Sequence, residues 1–354
     1  MPRSNRSDKI DPREVQIVHA VSRTTRACFL FGDDPSSGKN YDHRKGWVEE
    51  LIERFAGQFG IDALAYSILS NHHHQMLRSR PDVVKTWDDS EVARRWLMIC
   101  PIRKGSDGKP LPPSESELDT IRNNPAKLKE TRLRLSNVSW WMRLLNQRVA
   151  QRANREDAAK GRFFEERFKG IPVIDEESVL ACAVYVELNW IRACMAETLE
   201  LSDYTSAQRR ITALKSETQL DENVKRRRQQ LADSFLAPVD LGRSGEQALA
   251  SVSGFRCSDK GFLTMSDAEY LELLDWSARQ VARGKRGRTP DELPPILSRL
   301  GLSPTVWLEL VANFDELFKT MAGTPEHIDQ QRGRETGRRF HVPMRTRELF
   351  AQAA

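Results

Sequence analysis

Two β-prone stretches, Ile61–Leu69 and His72–Ser79, are separated only by Ser70 and Asn71. So short a break makes them either a hairpin or one extended segment bent near Asn71. The second stretch opens on His72, His73 and His74, three of the seven histidines in the chain. Residues two apart in a strand share a face. His72 and His74 therefore project one way and His73 the other. Two imidazoles about 7 Å apart at Cβ can converge on one divalent ion, and imidazole alone does not choose among the first-row metals. The competing reading is a polar surface tract with incidental metal affinity. A tag is excluded, because the run is internal and has apolar flanks.

The chain is 354 residues long, enough for two domains. Its hydrophobic fraction of 39% and charged fraction of 30% suit a soluble protein with a polar lean. No run of 18 apolar residues marks a membrane span. The start, MPRSNRSDKIDPRE, lacks the apolar core of a signal peptide, so no membrane is expected as partner and the cytoplasm is the expected location. Five cysteines are scattered with no CxxC spacing, which argues against a disulfide framework and against a zinc-cysteine site. The net charge of +5 is modest. Local clusters say more: Lys225–Arg228, Arg279–Arg288 and Arg332–Arg339 each read as a solvated helix face or a phosphate-contacting patch.

In chain order, residues 1–13 read as a loose arm and Glu14–Arg23 as a first strand. Tyr41–Phe59 has helical apolar spacing and ends at Gly60. Asp88-Asp89-Ser90 resembles a cap before EVARRWLMIC. Within an insertion spanning about 101–136, Glu115–Leu135 is expected as a charged helical arm. The next helix, opening at Asn137-Val138-Ser139, turns Trp140, Leu144 and Val149 inward and Arg143, Arg148, Arg152 and Arg155 toward solvent or phosphate. Phe163–Phe168 is expected as the last strand, running into Ile171-Pro172-Val173. Asp175–Ala196 reads as an apolar helix with an acidic start. Tyr185 sits in its middle and Asn189 lies one turn on; the bland reading is a buried tyrosine. From 201 to 354 the chain reads as a mostly helical basic accessory domain. Its helices are expected over Thr205–Lys215, Leu263–Ala282, Glu292–Leu302 and Pro304–Ala322, with a polar loop over 216–260.

A metal held by two imidazoles beside a tyrosine suits attack of a phenol on a phosphodiester. The ion acts as Lewis acid and template, and a covalent phosphotyrosine conserves the bond for rejoining. This needs no nucleotide hydrolysis, in keeping with the lack of a GxxxxGK[ST] motif. Tyrosine, with an ordinary pKa of about 10, needs help from the ion or a base, and the sequence identifies no base.

Ser70-Asn71-His72-His73-His74-Gln75-Met76-Leu77 resembles the His-hydrophobe-His motif of the HUH single-tyrosine transposases, in particular the REP-associated tyrosine transposases and their insertion-sequence relatives. Gly161–Phe168 (GRFFEERF) and Tyr185–Ala193 (YVELNWIRA) resemble the family's later blocks in the expected order. The resemblance covers about 14–200, and EYLELLDWSARQ and GKRGRTPDELPPILSRL resemble the tails of long members. It implies an α+β chain: a ferredoxin-like core with a central antiparallel sheet flanked by helices, plus a mostly helical C-terminal extension. It further implies Tyr185 as nucleophile, and His72, His74 and Asn189 as ligands of Mg²⁺ or Mn²⁺. The substrate would be single-stranded DNA beside a hairpin, in the bacterial nucleoid, with a 5′-phosphotyrosine intermediate; a homodimer is admissible. Candidate DNA contacts are Arg23, Arg143, Arg148, Arg152, Arg162, Arg167, Lys225, Arg226, Arg227, Arg283, Lys285 and Arg286. Two departures stand out: His73 replaces the motif's hydrophobe, and Trp190 replaces the proline after the helix asparagine, so that the helix is expected to continue without a kink. The alternative is a domesticated or inactive hairpin-binding copy.

Overall fold

The computed structural model describes residues 10–219, 232–243, 250–281, 297, 299–334 and 341–351. Lys225, Arg226, Arg227, Arg283, Lys285 and Arg286 lie outside these residues, as does most of the helix expected over Glu292–Leu302. Four strands form the sheet: β1 (Ile17–Arg23), β2 (Ile61–Ile68), β3 (His72–Ser79) and β4 (Lys169–Val173), in the order β2-β3-β1-β4 with every neighbour antiparallel. Helix α1 (His43–Ala56) links β1 to β2. Between β3 and β4 lie α2 (Pro81–Thr86), α3 (Asp89–Ile99), α4 (Glu115–Arg122), α5 (Pro125–Leu135) and α6 (Val138–Glu156). With α1 and α6 as the two crossover helices, this is the βαββαβ ferredoxin-like arrangement.

The break at Ser70-Asn71 is a hairpin turn. Ile68 pairs with His73, and the Leu69 N–H donates to the His72 carbonyl at 2.8 Å. One face of the sheet, carrying Val18, Ala20, Ile61, Ala63 and Leu77, buries against Phe55, Trp141 and Leu145 of α1 and α6. A register shift between Ala63 and Ala65 sets Leu64 and Ala65 together on the other face and returns Tyr66 and Ile68 to the first. That face, with Met76 and Ile171, packs on α7 (Glu176–Glu187), whose N-terminus is capped by the Asp175 carboxylate accepting from the Ser178 N–H at 3.0 Å.

Three local expectations change. The charged stretch 115–135 is two helices, interrupted at Asn123-Asn124 because Pro125 disfavours helix in the residue before it. Leu118, Ile121 and Leu135 are buried in the core, so the segment packs down rather than standing out as an arm. In Phe163–Phe168 the contact is an isolated bridge from Phe164 to Thr24, just past β1, and a Glu165 N–H donated to the Arg23 carbonyl at 3.0 Å; regular pairing starts at Lys169. Pro172 is tolerated there because β4 is an edge strand.

After α8 (Asn189–Arg192) come α9 (Ser206–Gln219), α10 (Asp267–Val281), α11 (Pro304–Leu317), α12 (Pro325–Arg334) and α13 (Met344–Ala351). Leu273, Trp307, Leu310 and Phe314 join α7 in one apolar cluster, so these helices share a core with the sheet. The stretch expected as a polar loop also contains Phe235, Leu236, Ala237 and Val239, all buried, with Leu236 bridged in parallel to Ala63 of β2. Among the described residues, no helix is long and apolar enough to cross a membrane.

Asp62 ties this wrap to the sheet. Its carboxylate, 1% exposed, accepts from Arg78 Nε at 2.9 Å and Nη2 at 2.7 Å, from the Ser258 N–H at 3.0 Å, and from Ser258 Oγ at 2.9 Å. Asp62→Ala leaves the Arg78 charge buried without its partner. It is expected to cost about 3–5 kcal/mol, read as a lower urea midpoint; a loss below about 1 kcal/mol would show the cluster to be dispensable.

Candidate active site

Strand alternation sets His72 and His74 on the face toward α7, with ring centroids 4.9 Å apart. His73 points the other way and is fully buried. Its Nε2 lies 3.2 Å from Asn146 Oδ1, and its Nδ1 lies 3.2 Å from Gln75 Nε2. Trp141 Nε1 donates to Gln75 Oε1 at 2.8 Å, and Asn146 Nδ2 donates to Ser22 Oγ at 2.7 Å. Burial lowers the His73 pKa to about 4. The third histidine thus fills the hydrophobe's place as a neutral ring with both nitrogens satisfied.

Asn71 Oδ1 lies 2.5 Å from His72 Nδ1, while Asn71 Nδ2 donates to the Ala27 carbonyl. With an oxygen as partner, His72 Nδ1 carries the hydrogen and Nε2 keeps its lone pair. His74 is set by a residue the sequence reading did not single out. His19 of β1, fully buried, places Nε2 2.9 Å from His74 Nδ1, with the two rings within 12° of parallel. The far nitrogen of His19, Nδ1, faces Asp315 Oδ1 of α11 at 3.8 Å. A carboxylate there favours hydrogen on His19 Nδ1, so His19 Nε2 accepts from His74 Nδ1 and His74 Nε2 is left bare. Burial, the largest cause, lowers His72 and His19 to about 4 and drives His74 well below its ordinary value.

Tyr185 meets this pair. Its ring lies 5.6 Å from His74 and 5.7 Å from His19, both edge-on. Phe314 of α11 stacks on it at 5.4 Å, and the Arg192 guanidinium lies 4.6 Å from the ring centre. Burial first, then the Asp315 charge, raise the phenol above its ordinary pKa, while Arg192 opposes. Burial pushes Asp315 up, but His19, Lys169 and the Tyr185 hydroxyl outweigh it and hold the carboxyl below its usual range.

Asn189 is buried, and its side-chain hydrogen bonds are local. Its Nδ2 lies 3.4 Å from the Val186 carbonyl, and its Oδ1 accepts from Arg192 at 3.3 Å. Helix α7 ends at Glu187 and α8 restarts at Asn189, so the expected unbroken helix is interrupted at Leu188. Trp190 fastens this turn to the sheet, its indole donating to the Ile68 carbonyl at 2.8 Å.

Three buried atoms of the cluster, His19 Nδ1, His74 Nε2 and Asp315 Oδ1, lack hydrogen-bond partners. Unpartnered buried polar atoms are costly, and a bare His74 Nε2 beside His72 fits a two-imidazole grip on a divalent ion. Among the described residues, no three His, Cys, Asp or Glu side chains converge as a ready-made metal cage.

The candidate arginines separate. Arg148 turns inward against the Ile99 carbonyl and Cys100, and burial lowers its pKa to about 10; this corrects its assignment to solvent or phosphate. Arg152 packs 4.1 Å from the Trp47 ring centre, with Glu50 at 3.8 Å. Arg23 is exposed at the end of β1, opposite His72. Arg143, Arg162 and Arg167 are exposed around a cavity on the α6 face.

No family model matches this chain, and no curated protein is significantly similar to it. Among solved structures, a REP-associated tyrosine transposase bound to a REP hairpin matches with a TM-score of 0.30 and 9% identity, over 60% of this chain and 86% of that one. A likeness this distant decides neither fold nor function.

Proposed function

We propose that this chain cleaves and rejoins single-stranded DNA beside a hairpin, with Tyr185 as nucleophile and His72 and His74 holding Mg²⁺ or Mn²⁺. The observation that carries this reading is a phenol packed against His74, whose ring lies 4.9 Å from that of His72, with Nδ1 of each imidazole engaged so that Nε2 is left bare. A bound divalent ion supplies Lewis-acid stabilisation of the phosphate's non-bridging oxygens and a positive charge that eases phenol ionisation. Tyr185 Oη forms a bond to phosphorus, the P–O3′ bond breaks, and the strand leaves with a free 3′-OH. Asp315 accepts the phenol proton, and the departing O3′ takes one from solvent. Rejoining runs the same steps backward. His72, the less buried of the pair, marks the side from which a phosphate arrives. Asn189 serves through Arg192, holding that guanidinium over the Tyr185 ring. A second reading, hairpin binding without cleavage, draws support from the 5% exposure of Tyr185.

Incubating the full chain with a labelled hairpin oligonucleotide carrying single-stranded flanks separates the two readings. Cleavage predicts a covalent adduct that survives denaturing electrophoresis and forms only with Mn²⁺ or Mg²⁺. Tight binding with no adduct under either ion would leave the binding-only reading. Asp315→Asn keeps the shape but removes the charge that orders His19 and, through it, His74. Mn²⁺ affinity, measured by titration against the free-ion electron paramagnetic resonance signal, is expected to fall about tenfold. Unchanged affinity would exclude Asp315 from that chain.

A further inference from the structure

Resting on that reading, we propose that the cavity between α6 and residues 161–168 holds one unpaired nucleotide of the DNA strand that passes His72. The cavity has a volume of about 810 Å³, within the range of small-molecule sites. Its floor is apolar, from Met142, Phe164 and Phe168, and among the described residues its rim carries the cations Arg143, Arg162 and Arg167 and one acid, Glu166. Among the described residues, no carboxylate pairs with Arg162 or Arg167. An apolar slot with a cationic mouth matches a nucleotide, whose flat base seeks an apolar or aromatic wall and whose phosphate seeks a guanidinium.

Its position fits the same strand. Thr24 bridges to Phe164 on one side, and its N–H donates to the Asn71 carbonyl on the other at 2.9 Å. The next residue fastens the loop further: the Thr25 N–H donates to the Phe163 carbonyl at 2.9 Å, and Thr25 Oγ1 donates to the Arg162 carbonyl at 2.8 Å. Asn71 in turn orients His72. The cavity wall and the imidazole pair are thus fastened to one end of the sheet, on its two faces. Arg23, paired across from His72, carries positive charge at that end. A backbone leaving His72 over the tip of β1 can drop one base into the cavity, and a base held in a duplex stack cannot enter.

Fluorescence anisotropy of the full chain with a labelled oligothymidylate of about fifteen nucleotides, at several salt concentrations, tests this. Arg162→Ala/Arg167→Ala should weaken binding at least about tenfold and reduce the slope of log affinity against log salt by about 1.4, at about 0.7 per single-strand phosphate contact. Ser139→Trp, which fills the cavity without changing charge, should weaken single-strand binding about tenfold, leave the salt slope intact, and spare a duplex of equal length. Wild-type affinity and slope in the arginine variant would overturn the proposal even if the tryptophan variant failed to fold. Equal losses on duplex and single strand in Ser139→Trp would also overturn it. A wild-type chain that binds no single strand sinks the proposed function itself, whereas tight wild-type binding indifferent to both variants sinks only the cavity.

Discussion

Tyr185→Phe is expected to lower formation of the DNA–protein adduct by at least about a thousandfold, because it removes the only atom of that side chain able to bond phosphorus. The phenyl ring keeps its stack on Phe314, its place beneath Arg192, and its edge contacts with His19 and His74. Oligonucleotide affinity should therefore stay within about twofold, since the substitution conserves volume and shape. Quantifying adduct and affinity on the same preparations checks both halves. Adduct at the wild-type rate would remove Tyr185 from the chemistry. A joint collapse of adduct and affinity would mean that the hydroxyl serves the fold.

The second large effect is on stability in acid. His19, His72 and His73 are lowered to about 4 by burial, and burial likewise drives His74 well below its ordinary value. In the unfolded chain each returns to about 6.5. Between those values the unfolded state binds more protons than the folded one, so stability rises with pH. It is fully present above about pH 6.5 and is lost as pH falls toward 4. At pH 5 the ceiling is about 2 kcal/mol per imidazole, so the cluster together is expected to remove on the order of 5 kcal/mol between pH 7 and pH 5. Urea midpoints at pH 7, 6 and 5, without divalent ions, measure this. His73→Leu should flatten the dependence by about one proton's share, because His73 faces the sheet's other side and packs edge-on against Phe164. A flat profile in the wild-type chain would show that these rings are solvated.

Alternation made part of this site legible. The parity of His72 and His74, the opposite face of His73 and the helical placement of Tyr185 follow from periods of 2.0 and 3.6 residues, which local sequence displays. The antiparallel α+β core was an implication of the family resemblance, since periodicity marks strands and helices but not how the strands pair. His19 was not legible, because nothing in EVQIVHAVSR marks its histidine as adjacent to His74; only the register of β1 on β3 brings them together. Phe314 and Asp315 were further out of reach. They lie about 130 residues after Tyr185 in an ordinary amphipathic helix, and their position depends on how α11 packs against α7. Expectations failed where tertiary partners override local polarity. Arg148 turned inward to a helix C-terminal carbonyl, and the stretch 235–239 buried itself beside β2.

The structure also changes what removal of the C-terminal region would report. Basic clusters there suggest a grip on the DNA backbone, and deletion of 201–354 would then weaken binding more than chemistry. With Trp307, Leu310 and Phe314 inside the core that holds α7, the same deletion strips the cover from Tyr185 and exposes a large apolar face. Point substitutions on the surface are the cleaner probes of the grip.

The central claim is that a phenol from α7 and an imidazole pair from β3 act on one phosphodiester. Mass-spectrometric mapping of the adduct formed with Mn²⁺ and a hairpin-bearing single strand tests it most directly. The account predicts a 5′-phosphate of the oligonucleotide bonded to the peptide containing Tyr185, and no such species from a His72→Ala/His74→Ala chain that still binds the DNA. Attachment at Tyr41, Tyr66, Tyr204 or Tyr270, or an adduct on Tyr185 that persists undiminished without both histidines, would contradict it.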